Sequence, residues 1–545
     1  MSHRLTRFAA LLAGATLACT TAPAKPEAVT AVAPVTVKIV AINDFHGNLE
    51  VPAPWKTKSG RVPSGGVAYL ASHIAKLRAA NEHTVVVSAG DLVGASPLVS
   101  GLFHDEPTIE AMNLIGLDIN GVGNHEFDEG LPELLRMQAG GCHATEGCQS
   151  GHEFEGSTAK FLAANVIDEH SGKNIFPAYE IKEMAGVPVA FIGMTLENTP
   201  AFVPPVVSGL KFLDEADTVN HLVKKLKTEG VQAIVVVLHE GGFIPGDYDE
   251  CGGLSGPIVD ILKRLDKEVD LVVTGHTHQA YNCVVDGLRV TSAGCFGRVV
   301  TDIDLTLDPN TRDVLKVVAK NSLVTHDLPE DPKLAALTAE YVEKAAPLAK
   351  RQVGTLAAPL PKSVNEHGEA PLGSIIADAQ LFVTQSPDKG GAHLAFMNTG
   401  GIRVGLETPG ELAFEDLFAV HPFGNTLVTV TLTGAQIHQA LEEQWGPERT
   451  RFLQPSHTLR YVWHEEAPAG QHVPLETLTL GGKPLVLEQP YRVTLNNYLA
   501  GRGVFAQGTD STPGVVDIDA LLAYVKAHAP LQPVTPGRLR KASVK

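Results

Sequence analysis

Five apolar runs in this 545-residue chain end on residues that can hold a divalent cation. The runs read VTVKIVAIN, TVVVSAG, LDINGVG, AIVVVLH and DLVVTG. At or just beyond their ends stand Asp44 and His46, Asp91, Asn124 with His125 and Glu126, His239, and His276 with His278. Carboxylate and amide oxygens mixed with imidazole nitrogens form a donor set of borderline softness, which suits zinc, manganese, cobalt or iron. Asp91 has two oxygens and could bridge two cations about 3.5–4 Å apart. Asp44 and His46, spaced i and i+2, would point to one side of an extended chain and share one ion. Asn124 would supply a neutral amide oxygen, His239 and His276 would hold the second ion, and His278 would reach back to the first. Taken singly, such Asp and Asn residues are ordinary helix caps and such His residues ordinary core groups. As an ordered set they favour a centre with two divalent metal ions, chemistry that suits hydrolysis of a phosphate ester. The cysteines contain no CxxC pair, which argues against a closed thiolate zinc site.

These donors need elements to position them. The apolar runs read as buried strands and alternate with amphipathic helical stretches such as VAYLASHIAKLRAANE and EADTVNHLVKKLKTEG, a βαβ rhythm. In open α/β sheets ligands collect beyond the carboxyl ends of the strands. The length exceeds one ordinary core, so two domains are expected. The first is placed at 35–326. A linker helix covers 327–352, where DPKLAALTAEYVEKAAPLAKRQ has helical spacing and Pro-rich flanks. The second domain is placed at 353–539, with strands LVTVTL and YRVTL and the helix GAQIHQALEEQW. The closing GRLRKASVK reads as a basic, frayed tail.

A net charge of −18 argues against a nucleic-acid polymer as partner, because phosphate-backbone binding needs a basic face. An anionic substrate must then be attracted locally, by cations in the site. The chain opens with an export signal over 1–24, basic at Arg4 and Arg7 and followed by a short apolar run. Two cleavage readings stand. Ala18-Cys19 resembles a lipoprotein site, which would lipidate Cys19 and give the only membrane attachment. The other is cleavage after Ala22-Pro23-Ala24. Residues 20–34 read as a flexible tether. The protein is therefore expected in the periplasm or cell envelope, or secreted. Export permits disulfides. Cys142 with Cys148 is an expected local bridge and Cys251 with Cys283 an expected longer one, leaving Cys295 free, although sequence leaves the connectivity open.

The ordered set DxH, GD, GNHE, H and GHTH resembles the calcineurin-like metallophosphoesterases. Further on, LGSIIADAQ, FMNTGGIR and HPFGNTL resemble the bacterial 5′-nucleotidase family, which includes UDP-sugar hydrolases and surface ecto-5′-nucleotidases. The likeness covers nearly everything after Pro34. It implies an α/β chain: an N-terminal calcineurin-like β-sandwich flanked by helices, the linker helix, and a C-terminal α/β 5′-nucleotidase domain. It implies that His125 stabilises the transferred phosphoryl group or protonates the leaving group, and that Asp128 orients His125. Asn398 and Arg403 match the family's NxGGxR, with Arg403 placed for phosphate or ribose oxygens. Phe423 and Tyr498 match two aromatics that sandwich a nucleobase. Two departures stand out. An acid expected to hold the ribose is replaced near Val504, with Arg502 as a candidate substitute. A second family arginine is absent around Asn365 and Glu366. The expected function is an exported 5′-nucleotidase. The alternatives are a 2′,3′-cyclic-nucleotide phosphodiesterase with 3′-nucleotidase activity and a non-catalytic nucleotide-binding surface protein.

Overall fold

The structure is a computed structural model and describes residues 32–201, 203, 207–446 and 450–542. The expected export signal, Cys19 and most of the tether lie outside the described residues. Among the described residues, no helix is long and apolar enough to cross a membrane.

Two six-stranded sheets stack face to face. The first runs in the order Asp313–Leu323, Val299–Asp308, Val35–Ile42, Thr84–Ser88, Ile119–Gly121, Lys160–Leu162. The second runs Ala280–Val285, Leu288–Ala293, Leu271–Thr274, Ala233–Leu238, Val187–Met194, Tyr179–Met184. Each sheet contains a run of parallel strands with antiparallel strands beside it. Alternation along Val35–Ile42 shows how the layers form. Val37, Ile39 and Ala41 join Phe191, Val235 and Val273 between the sheets. Val40 and Ile42 face outward into a core shared with Leu70, Ile74 and Ile109 of the flanking helices. On the far side Ile192 and Val236 pack with Val219 and Leu222 of the helix Glu215–Thr228. Strands buried on both faces read as continuous apolar runs, which is why they were legible in sequence.

The helix Pro332–Ala349 is capped by Asp331, whose carboxylate accepts the amides of Lys333 and Leu334. Its Leu334, Tyr341 and Ala345 belong to the core of the first two sheets, and Tyr341 donates to Glu110 at 3.0 Å. Its last residue, Ala349, enters a different core with Leu372, Ile376 and Leu521. There a five-stranded mixed sheet runs Leu453–Pro455, Leu394–Asn398, Pro490–Asn496, Thr426–Thr433, Thr509–Val516. Helices Pro371–Thr384 and Asp517–His528 contribute to that core, while Gly434–Glu442 packs with Phe396 and Leu432 in another. The disulfides are Cys142–Cys148 and Cys251–Cys283, and Cys295 is a buried free thiol.

The basic tail departs from expectation. Leu539–Lys541 pairs in parallel with Leu459–Trp463. Arg538 is buried and donates to both oxygens of Asp378, at 3.1 and 2.6 Å, and to the carbonyls of Ser374 and Pro455. A basic composition suggested solvation, but a guanidinium with this many acceptors can be buried. Arg538→Ala would leave the buried Asp378 facing only the exposed His457. Loss of one partner of a buried pair typically costs about 3–5 kcal/mol. Denaturant unfolding should show a loss of that size, and a change within about 0.5 kcal/mol, the range for surface sites, would refute the structural role.

Candidate metal centre and substrate cleft

Asp44, Asp91 and Asn124 lie just beyond three adjacent parallel strands of the first sheet, Val35–Ile42, Thr84–Ser88 and Ile119–Gly121. His239 and His276 lie beyond Ala233–Leu238 and Leu271–Thr274 of the second. The carboxyl ends of both sheets meet at one rim and bring all seven donors together. Two triads result, Asp44 with His46 and His278, and Asp91 with His239 and His276, each with its donor atoms within 4.8 Å of one another. Asp91 Oδ2 lies 3.0 Å from His239 Nε2 of its own triad and 3.6 Å from His46 Nε2 of the other, so it links the two. Asn124 Oδ1 is 3.2 Å from His239 Nε2.

Strand alternation is not what pairs Asp44 with His46. Asp44, His46, Asp91, His276 and His278 have φ of 50°, 47°, 51°, 68° and 56°. Each chain segment turns through the left-handed region as it leaves its strand. Such residues cost about 1–3 kcal/mol each and cluster at functional sites. Asn124 is right-handed helical, and His125–Phe127 forms a single 3₁₀ turn.

Sequence reasoning gave no role to two residues that brace these turns. Glu126 is buried, and its carboxylate accepts the amides of Asp91, Leu92 and Gly123 at 2.9, 2.9 and 2.8 Å. It ties the Asp91 turn to the Asn124 turn. Asn43 donates to Asp44 Oδ2 at 2.7 Å and to the Gly294 carbonyl at 2.7 Å. Both were visible as polar neighbours of donors in the motifs, but only the folded turns reveal their bonds. His46 and His239 donate from Nδ1 to the carbonyls of Gly94 and Ala89, at 2.7 and 2.6 Å, which aims each Nε2 inward.

The donor set fits divalent cations. Burial pushes Asp44 and Glu126 up to about 7. Burial also opposes charge on Asp91, yet His239, then His125 and His46, hold its carboxyl well below the usual range. His239 is held at about 10 against burial by Asp91 and Asp44. Burial and His239 push His276 down to about 3, and burial above all keeps His46 and His278 well below the ordinary value. Buried carboxylates packed this closely need positive charge; His46, His276 and His278, kept neutral, offer lone pairs to a cation, and His239 offers one once the cation displaces its proton.

His125 Nδ1 donates to Asp128 Oδ2 at 2.8 Å. Asp128 does not cap the following helix, Leu131–Ala139, whose N-cap is Gly130. Gly94 presses on this pair: at its φ of 79°, a Cβ would collide with the His125 carbonyl oxygen and lie 2.7 Å from Asp128 Oδ2. Gly94→Ala must therefore displace the pair. A shift of about 1 Å in a catalytic group can cost about 10²-fold, so turnover should fall on that order while the chain stays folded by circular dichroism. Unchanged turnover would mean the pair's position is immaterial.

A cleft of about 1100 Å³ is lined by Asp91, His125, His276 and His278 from one side and by Asn398, Arg403, Phe423 and Tyr498 from the other. Asn398 closes the strand Leu394–Asn398, and Tyr498 follows the parallel neighbour Pro490–Asn496. Asn398 Oδ1 accepts from Asn496 at 3.0 Å. The Phe423 ring stacks on His125 at 5.8 Å, and the Arg403 guanidinium lies 5.4 Å from the centre of the same Phe423 ring. Arg403 Nη2 is buried and has no hydrogen-bond partner among the described residues. Val504 is buried in the core, and Arg502 lies over the Tyr498 ring at 4.6 Å. Asn365 accepts the amides of His367 and Glu369 and so shapes its own turn. Glu443 and Arg451 also line the cleft, and no motif had pointed to them.

Residues 37–280 match the model of the calcineurin-like phosphoesterases, and residues 352–508 match that of the 5′-nucleotidase C-terminal domain. The chain is 31% identical over 525 residues to Endonuclease YhcR of Bacillus subtilis (strain 168), covering 93% of this chain and 41% of that one. It thus spans less than half of that relative's length. It is 32% identical to Cell wall protein Lmo0130 of Listeria monocytogenes serovar 1/2a, covering 95% of this chain and 70% of that one. The solved 5′-nucleotidase precursor of Thermus thermophilus superposes with a TM-score of 0.75 at 26% identity, covering 94% of this chain and 100% of that one.

Proposed function

The chain belongs to the bacterial 5′-nucleotidase family, in which a calcineurin-like phosphoesterase domain is joined to a 5′-nucleotidase C-terminal domain, and on that premise we propose that it hydrolyses nucleoside 5′-phosphates outside the cytoplasm. It is a metal-dependent phosphoester hydrolase by family. The observation that carries the nucleotide reading is Arg403. Its buried guanidinium lacks a partner for Nη2 among the described residues, and it shares a cleft with both donor triads and two aromatic rings. A guanidinium of this kind takes a phosphate oxygen through paired N–H donors. Phe423 and Tyr498 supply faces on which a base can stack, whatever its identity.

In this reading Asp44, His46 and His278 would hold one divalent ion, and Asp91, Asn124, His239 and His276 would hold a second. Two such ions, when bound, neutralise phosphoryl oxygens and make water a nucleophile at neutral pH. The chain's own residues do the rest. Arg403 and Asn398 fix the phosphate end, and the aromatics fix the base. His125, oriented by Asp128, presents Nε2 to the phosphoryl oxygen or the leaving oxygen. The division at 35–326, 327–352 and 353–539 makes the second domain the substrate reader and the first the catalytic one. Two disulfides favour an oxidising compartment, which supports export, with the lipid at Cys19 as the proposed anchor.

The test is a substrate panel with added manganese, cobalt or zinc: AMP, ADP, UDP-glucose, 3′-AMP, 2′,3′-cyclic AMP and a single-stranded oligonucleotide. AMP should exceed 3′-AMP and the cyclic nucleotide by about tenfold or more in kcat/KM, which is about 1.4 kcal/mol of discrimination. A preference for the cyclic nucleotide would replace this reading with the phosphodiesterase one. A preference for the oligonucleotide would replace it with a nuclease.

A further inference from the structure

A second cluster of metal-binding side chains lies outside the cleft. The Cys142–Cys148 disulfide closes a short loop, which a backbone bridge between His143 and Gly147 folds back on itself. The loop carries His143 and Glu146, and the Glu146 amide donates to His143 Nδ1 at 3.2 Å. Beneath it sits His104, held at a left-handed φ of 51°. The two imidazole rings stack at 4.0 Å. His104 Nε2 lies 3.3 Å from Glu146 Oε2, while His104 Nδ1 lies 2.7 Å from Glu129 Oε2.

We propose that His104, His143 and Glu146 form a binding site for a divalent transition-metal ion of the zinc type, separate from the rim cluster. Their donor atoms already lie within 4.8 Å of one another. Two imidazoles and a carboxylate, with water completing the shell, are a donor set that zinc accepts. Glu129 on Nδ1 is the arrangement that fixes a ligating imidazole and turns its other nitrogen toward an ion. Glu133 lies 4.0 Å from His143 Nε2 and is paired with Arg136, so it adds acceptor oxygen without a full uncompensated charge. Metal–ligand bonds of about 2.0–2.2 Å require the parallel rings to turn. The turning falls to His143, which gives up the Glu146 amide at Nδ1 to free a lone pair, and to Glu146, because Glu129 anchors His104. Glu129 and Glu146 are 46% and 55% exposed, which gives an ion a path from solvent. Several things are brought together from distant parts of the chain: a disulfide, a strained histidine, stacked imidazoles and a carboxylate on the outer nitrogen.

The experiment counts zinc. The full oxidised chain is equilibrated with a small excess of Zn²⁺ and desalted, and its zinc is measured by atomic emission. Wild type should hold about one equivalent more than His143→Ala or Glu146→Ala, since ligand loss removes the ion it holds. Both variants should keep wild-type hydrolysis of p-nitrophenyl phosphate. Asp91→Ala, which perturbs the rim, should keep the loop's equivalent, so failure of this inference and failure of the rim assignment are distinguishable. His104→Ala is the harsher test, because that residue is mostly buried, and the two loop variants decide the matter if it misfolds. Folded His143→Ala or Glu146→Ala protein with the zinc content of wild type overturns the proposal.

Discussion

Replacing Asp91 by alanine should strip metal from the rim and lower turnover by about 10³-fold or more. Asp91 is 1% exposed and links the two triads. Without it, any cations held by the remaining donors would face one another with no carboxylate between them, so at least one should leave. An ion that polarises a phosphoryl oxygen contributes several kcal/mol, and each 1.4 kcal/mol is about tenfold in rate. A second effect adds to the first. Asp91 Oδ1 accepts the His125 amide at 2.8 Å, so the turn carrying His125 loses a tether. Asp91→Asn separates the effects, because it keeps the shape of the side chain while removing its charge. Metal content and kcat on AMP are the measurements. Full metal content with full turnover in Asp91→Ala would sink the two-ion reading.

The sequence exposed the donors because each follows a strand buried on both faces, and such strands are plain in a single chain. It could not expose how the donors converge. Asp44 and His46 looked like neighbours on an extended chain, yet both adopt left-handed φ, a conformation that nothing in Asp or His dictates. The surrounding structure imposes it: Asn43 holds the Asp44 carboxylate and the Gly94 carbonyl holds His46. Glu126 was in view inside the GNHE motif, but its three amide contacts exist only once the turns after Ser88 and Gly121 are adjacent. The second domain was harder to read. Phe423 and Tyr498 would have passed as core aromatics without the family likeness; both line the cleft, and Tyr498 also packs against the adjoining core. Glu443 and Arg451 lie in no recognised motif and are brought there by packing. The tail at Arg538 misled for the opposite reason, because its acceptors come from residues 374, 378 and 455, far away in sequence.

His125→Ala should keep the rim's metals and lose about 10²–10⁴-fold in kcat, the usual contribution of a positioned proton-transfer group. Metal should stay because His125 meets the cluster through its main chain: its amide, not its ring, bonds Asp91. Alanine preserves that bond and the turn. What it removes is the imidazole, whose ring lies 5.0 Å from that of His46 and 5.8 Å from that of Phe423. The ring is thus wedged between the metal donors and the proposed base-stacking wall, where a phosphoryl group would have to sit. Its Nδ1 is taken by Asp128 at 2.8 Å, so Nε2 is the atom left to serve the substrate. Interactions made only in the transition state lower kcat and kcat/KM together, whereas uniform binding shows in KM alone. His125→Ala should follow the first pattern, and Asp128→Asn a weaker version of it, since the ring stays while its orientation loosens. A change confined to KM would make His125 a binding residue, and loss of metal would make it a support of the rim.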